Sequence, residues 1–225
     1  MKKSEIIFSK YSPLMAVDTP LTGADGESIE TPRVYSLCRC GESNYKPLCD
    51  GSHAQAEFVG ERENSNKKKP EYYKGKEITI VFESYLCMGA GFCVDLETEK
   101  FRRLFKKVVL GKEDPPRYDP DSAPVEEIIK IIEKCPSGAL SYILKGERKT
   151  NYCENTRIVV ETDGQLNCQG EIELKDDQDS DRLLPKADHY TLCRCGGSKK
   201  KPLCDGSHKD NGFKDKKIAY SISNF

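Results

Sequence analysis

Three cysteines and a histidine occur twice in this chain at one spacing. Cys38, Cys40, Cys49 and His53 fall within sixteen residues, and Cys193, Cys195, Cys204 and His208 repeat them with every position displaced by 155. The residues between recur as well, among them Arg39 and Arg194, Pro47 and Pro202, and the runs Asp50-Gly51-Ser52 and Asp205-Gly206-Ser207. Chance does not reproduce all the spacings of four ligands at once, so the chain contains an internal duplication of a metal-ligand set. Thiolate and imidazole are soft or borderline donors, which leaves zinc and iron-sulfide as the contenders. Zinc sites usually separate paired cysteines by two to four residues so that both reach one ion. Here one residue separates each pair. That spacing suits two thiolates on one iron of a binuclear cluster, with the later cysteine and histidine on the other.

A third constellation lies between the copies. Cys87 and Cys93 stand six residues apart around Ala90, and Cys135 is followed by Pro136 far downstream. In bacterial ferredoxins cysteines recur at every third position and a remote Cys-Pro supplies a further ligand. The middle position here is Ala90, which leaves three thiolates, the number that matches a 3Fe-4S centre; a 4Fe-4S centre with a non-cysteine fourth ligand stays open. Cys153 and Cys168 fall outside all three sets and read as structural or free thiols. His189 reads as an ordinary core or surface histidine.

The bulk composition sets bounds on the rest. In 225 residues, 36% are hydrophobic, 32% are charged and Trp is absent, so material for one large core is scarce and two or three small metal-stapled units are expected. Eleven cysteines is an odd count, and no run suits a leader or a membrane span, so a reducing, cytoplasmic setting with metal-bound thiolates is expected. A net charge of −1 argues against general nucleic-acid binding. The run Lys67-Lys68-Lys69 reads as a solvated connection.

The elements that must position these ligands are short. Glu5 to Phe8 reads as a strand, and Thr22 to Gly26 as a turn before the first ligand loop. Residues 61 to 74 read as a polar join. Ile78, Ile80 and Phe82 alternate along a strand that leads into Cys87. Val94 to Val109 is expected to be helical in its first part. A second helix, capped by Asp121 or Ser122 and with Pro124 in its first turn, turns Val125, Ile128, Ile129 and Ile132 inward and ends at Cys135. Ser141 to Leu144 reads as a closing strand, residues 146 to 155 as a polar join, and 157 to 161 with 165 to 174 as a hairpin about Asp163-Gly164. The expected class is α+β, with units at 1–70, 71–150 and 151–225.

Both copies resemble the CDGSH iron-sulfur family, whose signature is Cys-x-Cys, Ser or Thr, Pro, and then Cys-Asp-Gly-Ser-His. The segment from about Lys76 to Leu144 resembles divergent single-cluster ferredoxins. The resemblance implies that Cys38 and Cys40 hold the inner iron and Cys49 and His53 the outer iron of a 2Fe-2S centre, with Cys193, Cys195, Cys204 and His208 doing the same in a second. Family members with one motif form homodimers. Two motifs in one chain therefore imply two small β-rich modules paired internally as a pseudo-dimer, monomeric overall, with a ferredoxin-like segment between them. Phe58 and Phe213, each five residues after the ligand histidine, are expected at equivalent places. Arg39 and Arg194 read equally as charges tuning the cluster or as solvated side chains. Asp50-Gly51-Ser52 and its repeat read as caps of a short helix aimed at the cluster.

A multi-cluster electron carrier between redox donor and acceptor proteins is the leading expectation. Cluster storage, transfer or redox sensing is the second, motivated by the single exchangeable histidine on each outer iron. A structural zinc module is the third, and it differs in being colourless. No nucleotide loop or nucleophile-base pairing points to catalysis on an organic substrate, and neither membrane nor nucleic acid is an expected partner.

Overall fold

A computed structural model describes residues 3–61, 69–89, 118–177 and 184–215. The expected helix after Cys93, together with Ala90 and Cys93 themselves, lies outside the described residues.

Among the described residues three small sheets carry the fold. From the N-terminal part come β1 (Ser4–Phe8), β2 (Leu14–Val17), β3 (Leu21–Gly23), β4 (Ser28–Ile29) and β5 (Val34–Leu37). The C-terminal part gives β10 (Arg157–Val160), β11 (Leu166–Gln169), β12 (Ile172–Asp176) and β13 (His189–Leu192). Alternation sets their faces: in β1 Ser4, Ile6 and Phe8 point inward, while Glu5 and Ile7 are half-buried.

The chain's two ends share strands. One sheet has the order β12-β1-β2-β5, the next β13-β11-β10-β3-β4. The first takes one strand from the opposite end of the chain and the second takes two, and in each the strand at the join runs parallel to its neighbour: β12 beside β1, with Ile6 opposite Leu174, and β3 beside β10, with Leu21 opposite Ile158. The remaining pairs are antiparallel hairpin-like neighbours. Ile6, Leu14, Leu21, Leu37, Ile158, Leu166 and Leu192 meet in one buried cluster, so each end completes the core that the other lacks.

The expected continuous strand from 165 to 174 is instead two. Gly170 has φ 77°, and a Cβ there would lie 2.5 Å from the Thr156 hydroxyl oxygen. The chain breaks at this left-handed residue, and β12 leaves for the sheet of β1. The Asp163-Gly164 turn does join β10 and β11, with Asp163 itself at φ 52°.

The third sheet, β6 (Glu71–Lys74), β7 (Ile78–Phe82), β8 (Leu140–Leu144) and β9 (Glu147–Lys149), is antiparallel throughout. β6 and β9 fall in stretches that read as polar joins. They are edge strands with largely exposed side chains, so no inward alternation marks them. Across β8 lies α2 (Val125–Glu133), which follows the single turn α1 (Ser52–Gln55) among the helices of the described residues. Its buried residues are Ile128, Ile131 and Ile132, so the inward face is rotated towards Ile131 and away from Ile129. Glu126 and Glu127 in the first turn suit the positive end of the helix dipole. Neither expected cap acts: Pro124 occupies the cap position, Asp121 accepts from the Lys76 amide at 2.8 Å, and the Ser122 hydroxyl donates to Asp119 O. The described residues are thus β-rich with few helices, two ligand-loop regions flanking a central domain. Among the described residues no helix is long and apolar enough to cross a membrane.

Candidate metal centres

Each duplicated ligand loop grows from the end of a strand. β5 runs into Cys38 and β13 into Cys193, and the loop folds back so that the Cys38 amide donates to Pro47 O and the Cys49 amide to Ser36 O, both at 2.8 Å. In the second copy Cys193 donates to Pro202 O at 2.8 Å and Cys204 to Thr191 O at 3.0 Å. Short polar side chains complete the frame. Ser43 Oγ donates to Leu48 O at 2.6 Å and Ser198 Oγ to Leu203 O at 2.7 Å. Asp50 accepts from the Asn44 amide, the Ser52 amide and the Ser52 hydroxyl, and Asp205 from Lys199 and Ser207 in the same way. The aspartate therefore ties the loop together, and the turn that follows starts at left-handed Gly51 or Gly206 with no side-chain cap. This corrects the expectation of a helix cap.

The result is a pair of paired donors in each loop. Cys38 Sγ and Cys40 Sγ are 3.7 Å apart, as are Cys193 Sγ and Cys195 Sγ. Two sulfurs held at about 2.3 Å by one tetrahedral ion lie about 3.8 Å apart. Cys49 Sγ is 3.3 Å from His53 Nδ1, and Cys204 Sγ is 3.5 Å from His208 Nδ1. A sulfur and an imidazole nitrogen on one such ion lie about 3.6 Å apart. Both pairs in both loops thus fit one ion each, and Nδ1 is the histidine atom turned to the sulfur. The Gly51 and Gly206 amides donate to Cys49 and Cys204 Sγ at 3.4 Å, the Glu42 amide to Cys40 Sγ at 3.5 Å, contacts that favour the thiolate form.

The electrostatics divide the thiols of each loop, favouring ionisation at one and opposing it at the others. In each Cys-x-Cys pair the S–H···S hydrogen bond lets one thiol ionise early, pulling it to about 6 at Cys38 and at Cys195, and raises its partner. Burial pushes the Cys204 thiol up to about 12. Burial also lowers His208 from the ordinary imidazole value, helped by the positive charges of Lys209 and Arg194, so that it stays neutral and able to coordinate.

Arg39 and Arg194 are 2% and 1% exposed, which removes the solvated reading. Arg39 donates from Nε to Ser12 O at 2.8 Å and from a terminal nitrogen to Ser9 O at 2.6 Å, with Phe8 and Phe58 against its guanidinium. Arg194 donates to Gly164 O and Glu161 O, pairs with Asp215 at 2.7 Å, and lies over Phe213. Each arginine thus bolts the ligand loop to the turn of its module's hairpin, and Phe58 and Phe213 occupy matching places against it.

The two loops meet back to back. Cys40 and Cys195 form an isolated antiparallel bridge. Gly41 and Gly196, at φ 88° and 75°, sit where a Cβ would press on the carbonyl of the opposite cysteine, 2.8 Å from Cys195 O in the case of Gly41.

Of the central set, Cys87 follows β7 and Cys135 follows α2, and both are half-buried against the core. The loop after β7 rests on the second ligand loop. Lys200 Nζ donates to Ser84 O at 3.1 Å and Cys87 O at 3.0 Å, and Lys209 Nζ to Gly89 O at 2.9 Å. Gly206 leaves room for Met88 O, which would stand 2.5 Å from a Cβ. The equivalent positions in the first loop are Tyr45 and Ala54, which carry no ammonium group. Sequence reasoning passed over Lys200 and Lys209; the signal was the departure of one copy from the other at these places. The outer donors differ accordingly: Cys204 and His208 are buried, Cys49 and His53 half-buried.

Comparison with known proteins agrees with this division. The model for the iron-binding zinc finger of CDGSH type matches residues 13–54 and 163–209. The model for the divergent 4Fe-4S mono-cluster matches 73–145. The uncharacterized protein YjdI of Escherichia coli strain K12 is 31% identical over 70 residues, which is 31% of this chain and 80% of that protein; the same protein of Escherichia coli O157:H7 matches equally. No solved structure matches the chain. With two CDGSH-type regions flanking a divergent 4Fe-4S mono-cluster domain, the chain belongs to the CDGSH iron-sulfur family.

Proposed function

We propose that the protein is a non-catalytic, cytoplasmic multi-cluster electron carrier working between redox donor and acceptor proteins. Cys38, Cys40, Cys49 and His53 would hold one 2Fe-2S centre, and Cys193, Cys195, Cys204 and His208 a second. Cys87, Cys93 and Cys135 would hold the central one. The family description names a 4Fe-4S centre there, whereas three cysteines are the ligand count of 3Fe-4S, so both nuclearities enter the test. When bound, such centres supply reversible one-electron chemistry, and replacing a thiolate by a neutral imidazole makes reduction easier.

The chain's own residues then have two tasks. The first is pairing: the exchanged strands and the Cys40–Cys195 bridge support an internal pseudo-dimer with units at 1–70, 71–150 and 151–225. The second is proximity, and the observation that carries the reading is the docking of the Cys87 loop onto the second ligand loop by Lys200 and Lys209. Two carrier centres exchange electrons only when their ligand loops are held together, and these lysines hold them. The second centre would then be the internal relay and the first the port facing a partner.

The half-buried Cys49 and His53 favour cluster transfer or redox sensing as a second reading, confined to the first site. The deciding experiment combines iron and sulfide analysis with EPR of anaerobic protein, followed by rapid-freeze reduction. Three centres are expected, with electrons equilibrating between the central and second ones. The Lys200→Ala, Lys209→Ala double variant should keep all clusters and slow that exchange at least tenfold. An unchanged rate, or stoichiometric zinc without sulfide, would sink the carrier reading.

A further inference from the structure

Cys153, Asp188 and His189 come together outside every ligand set named so far. Cys153 lies between β9 and β10, and Asp188 and His189 at the start of β13. A ring nitrogen of His189, a carboxylate oxygen of Asp188 and the Cys153 Sγ all lie within 4.8 Å of one another. The Cys153 amide donates to Asp188 Oδ2 at 2.8 Å, and Asp188 Oδ1 is 2.7 Å from His189 Nδ1. Those bonds account for Asp188 as a structural tie between segments. They do not account for the other end of the imidazole. The His189 side chain is 5% exposed and its Nε2 is buried with no hydrogen-bond partner, an arrangement that is destabilising if nothing binds there. His189 also lines a cavity of about 470 Å3 whose wall includes Glu133, Cys135, Cys153 and Arg157.

We propose that Cys153, Asp188 and His189 form a mononuclear site for a zinc-like divalent cation, separate from the iron-sulfur ligands, with its remaining position open to the cavity. One thiolate, one imidazole and one carboxylate make a borderline donor set of the kind zinc takes, and three protein ligands leave the fourth place to water or a small anion. Ligand atoms on a tetrahedral zinc lie about 3.3–3.6 Å apart. A contraction of about 1 Å by side-chain rotation therefore closes the site. Asp188 coordinates directly, exchanging its contact with His189 Nδ1 for the metal, so that the three protein ligands are complete. Burial, with the nearby Asp188 charge, pushes the half-buried Cys153 thiol up, so without metal it is a protonated thiol that an alkylating reagent labels slowly; binding replaces the thiol proton, which is released to solvent.

The test uses cluster-loaded full-length protein, stripped of loosely held metal and titrated with Zn2+ alone. One zinc per chain is expected beyond the iron. Its X-ray absorption should give one sulfur at about 2.3 Å and nitrogen or oxygen at about 2.0–2.1 Å. Cys153→Ser and His189→Gln should each weaken binding at least tenfold with iron and sulfide content unchanged. In the unmodified protein, zinc should protect Cys153 from alkylation, and a chelator should restore labelling, a readout that no misfolded variant can confuse. The proposal is overturned by zinc with three or more sulfurs, which would place it in the cluster sites, by undiminished binding in both variants, or by Cys153 labelling that zinc does not change. Loss of iron from the central centre in Cys153→Ser would overturn it too, by assigning that thiol to the cluster.

Discussion

Gly41→Ala probes whether the two ligand loops lean on each other. Position 41 has φ 88°, where an L-residue is strained by about 1–2 kcal/mol. The added Cβ would also stand 2.8 Å from Cys195 O and 3.0 Å from its carbonyl carbon, backbone atoms that cannot rotate away. Forcing the loops apart is an overpacking event of about 1–3 kcal/mol. The sum, about 2–5 kcal/mol, is a large share of the roughly 5–15 kcal/mol by which proteins are stable. Gly51→Ala separates the two contributions, because Gly51 has the same φ of 88° with nothing within 4 Å of the added carbon. That variant should show only the backbone cost. Thermal melts at one scan rate, followed by circular dichroism and by cluster absorbance, should lower the midpoint by about 2–8 °C for Gly51→Ala and by a further 2–12 °C for Gly41→Ala. Equal midpoints for the two variants would show that the Cys40–Cys195 contact contributes nothing, and the shared-core account of the two modules would lose its central joint.

Arg194→Met should destabilise by about 3–5 kcal/mol, because it strands Asp215, whose side chain is 10% exposed, beside a buried apolar group; removing Lys149 from the exposed Lys149–Glu147 pair should leave the urea midpoint unchanged, and similar losses in the two titrations would refute the distinction. Asp50 is raised by burial but lowered more by its bonds from Ser52 and Asn44, so its carboxyl sits below the ordinary 3.8. Its stabilisation is present above that value and is lost as pH falls through the folded one. Asp50→Asn should therefore lose stability at neutral pH and decline less steeply below about pH 4, whereas an unaltered acid profile would exclude the role. His53→Cys and His208→Cys each add one negative charge to the cluster, so spectroelectrochemistry should find that site's potential lowered by on the order of 100 mV with a flatter pH dependence, and unchanged potentials would remove the histidines from the ligand set.

The closeness of Cys38 to Cys40 and of Cys49 to His53, and its duplication in the second loop, were readable without coordinates because contacts within a sixteen-residue loop are local. Thiolates one residue apart must lie close, and strict recurrence marks the frame around them. The strand before Cys87, the helix before Cys135 and the Asp163-Gly164 hairpin were readable for a similar reason, since alternation, helical period and turn residues act over a few positions. Tertiary structure alone decided the rest. The run from 165 to 174 has uniform strand character, and only the meeting of Gly170 with Thr156 breaks it and sends β12 to the far sheet. Arg39 and Arg194 look like solvent residues in a charged loop until hairpin carbonyls 27 to 33 positions away close over them. Lys200 and Lys209 gain their purpose from a loop more than 110 positions earlier. Cys153 and His189, unremarkable where they stand in the chain, acquire a common neighbourhood only because one aspartate bonds to both. Interactions of such separation leave no period or spacing in a sequence, since chain entropy and packing choose among many partners and only the folded core selects one.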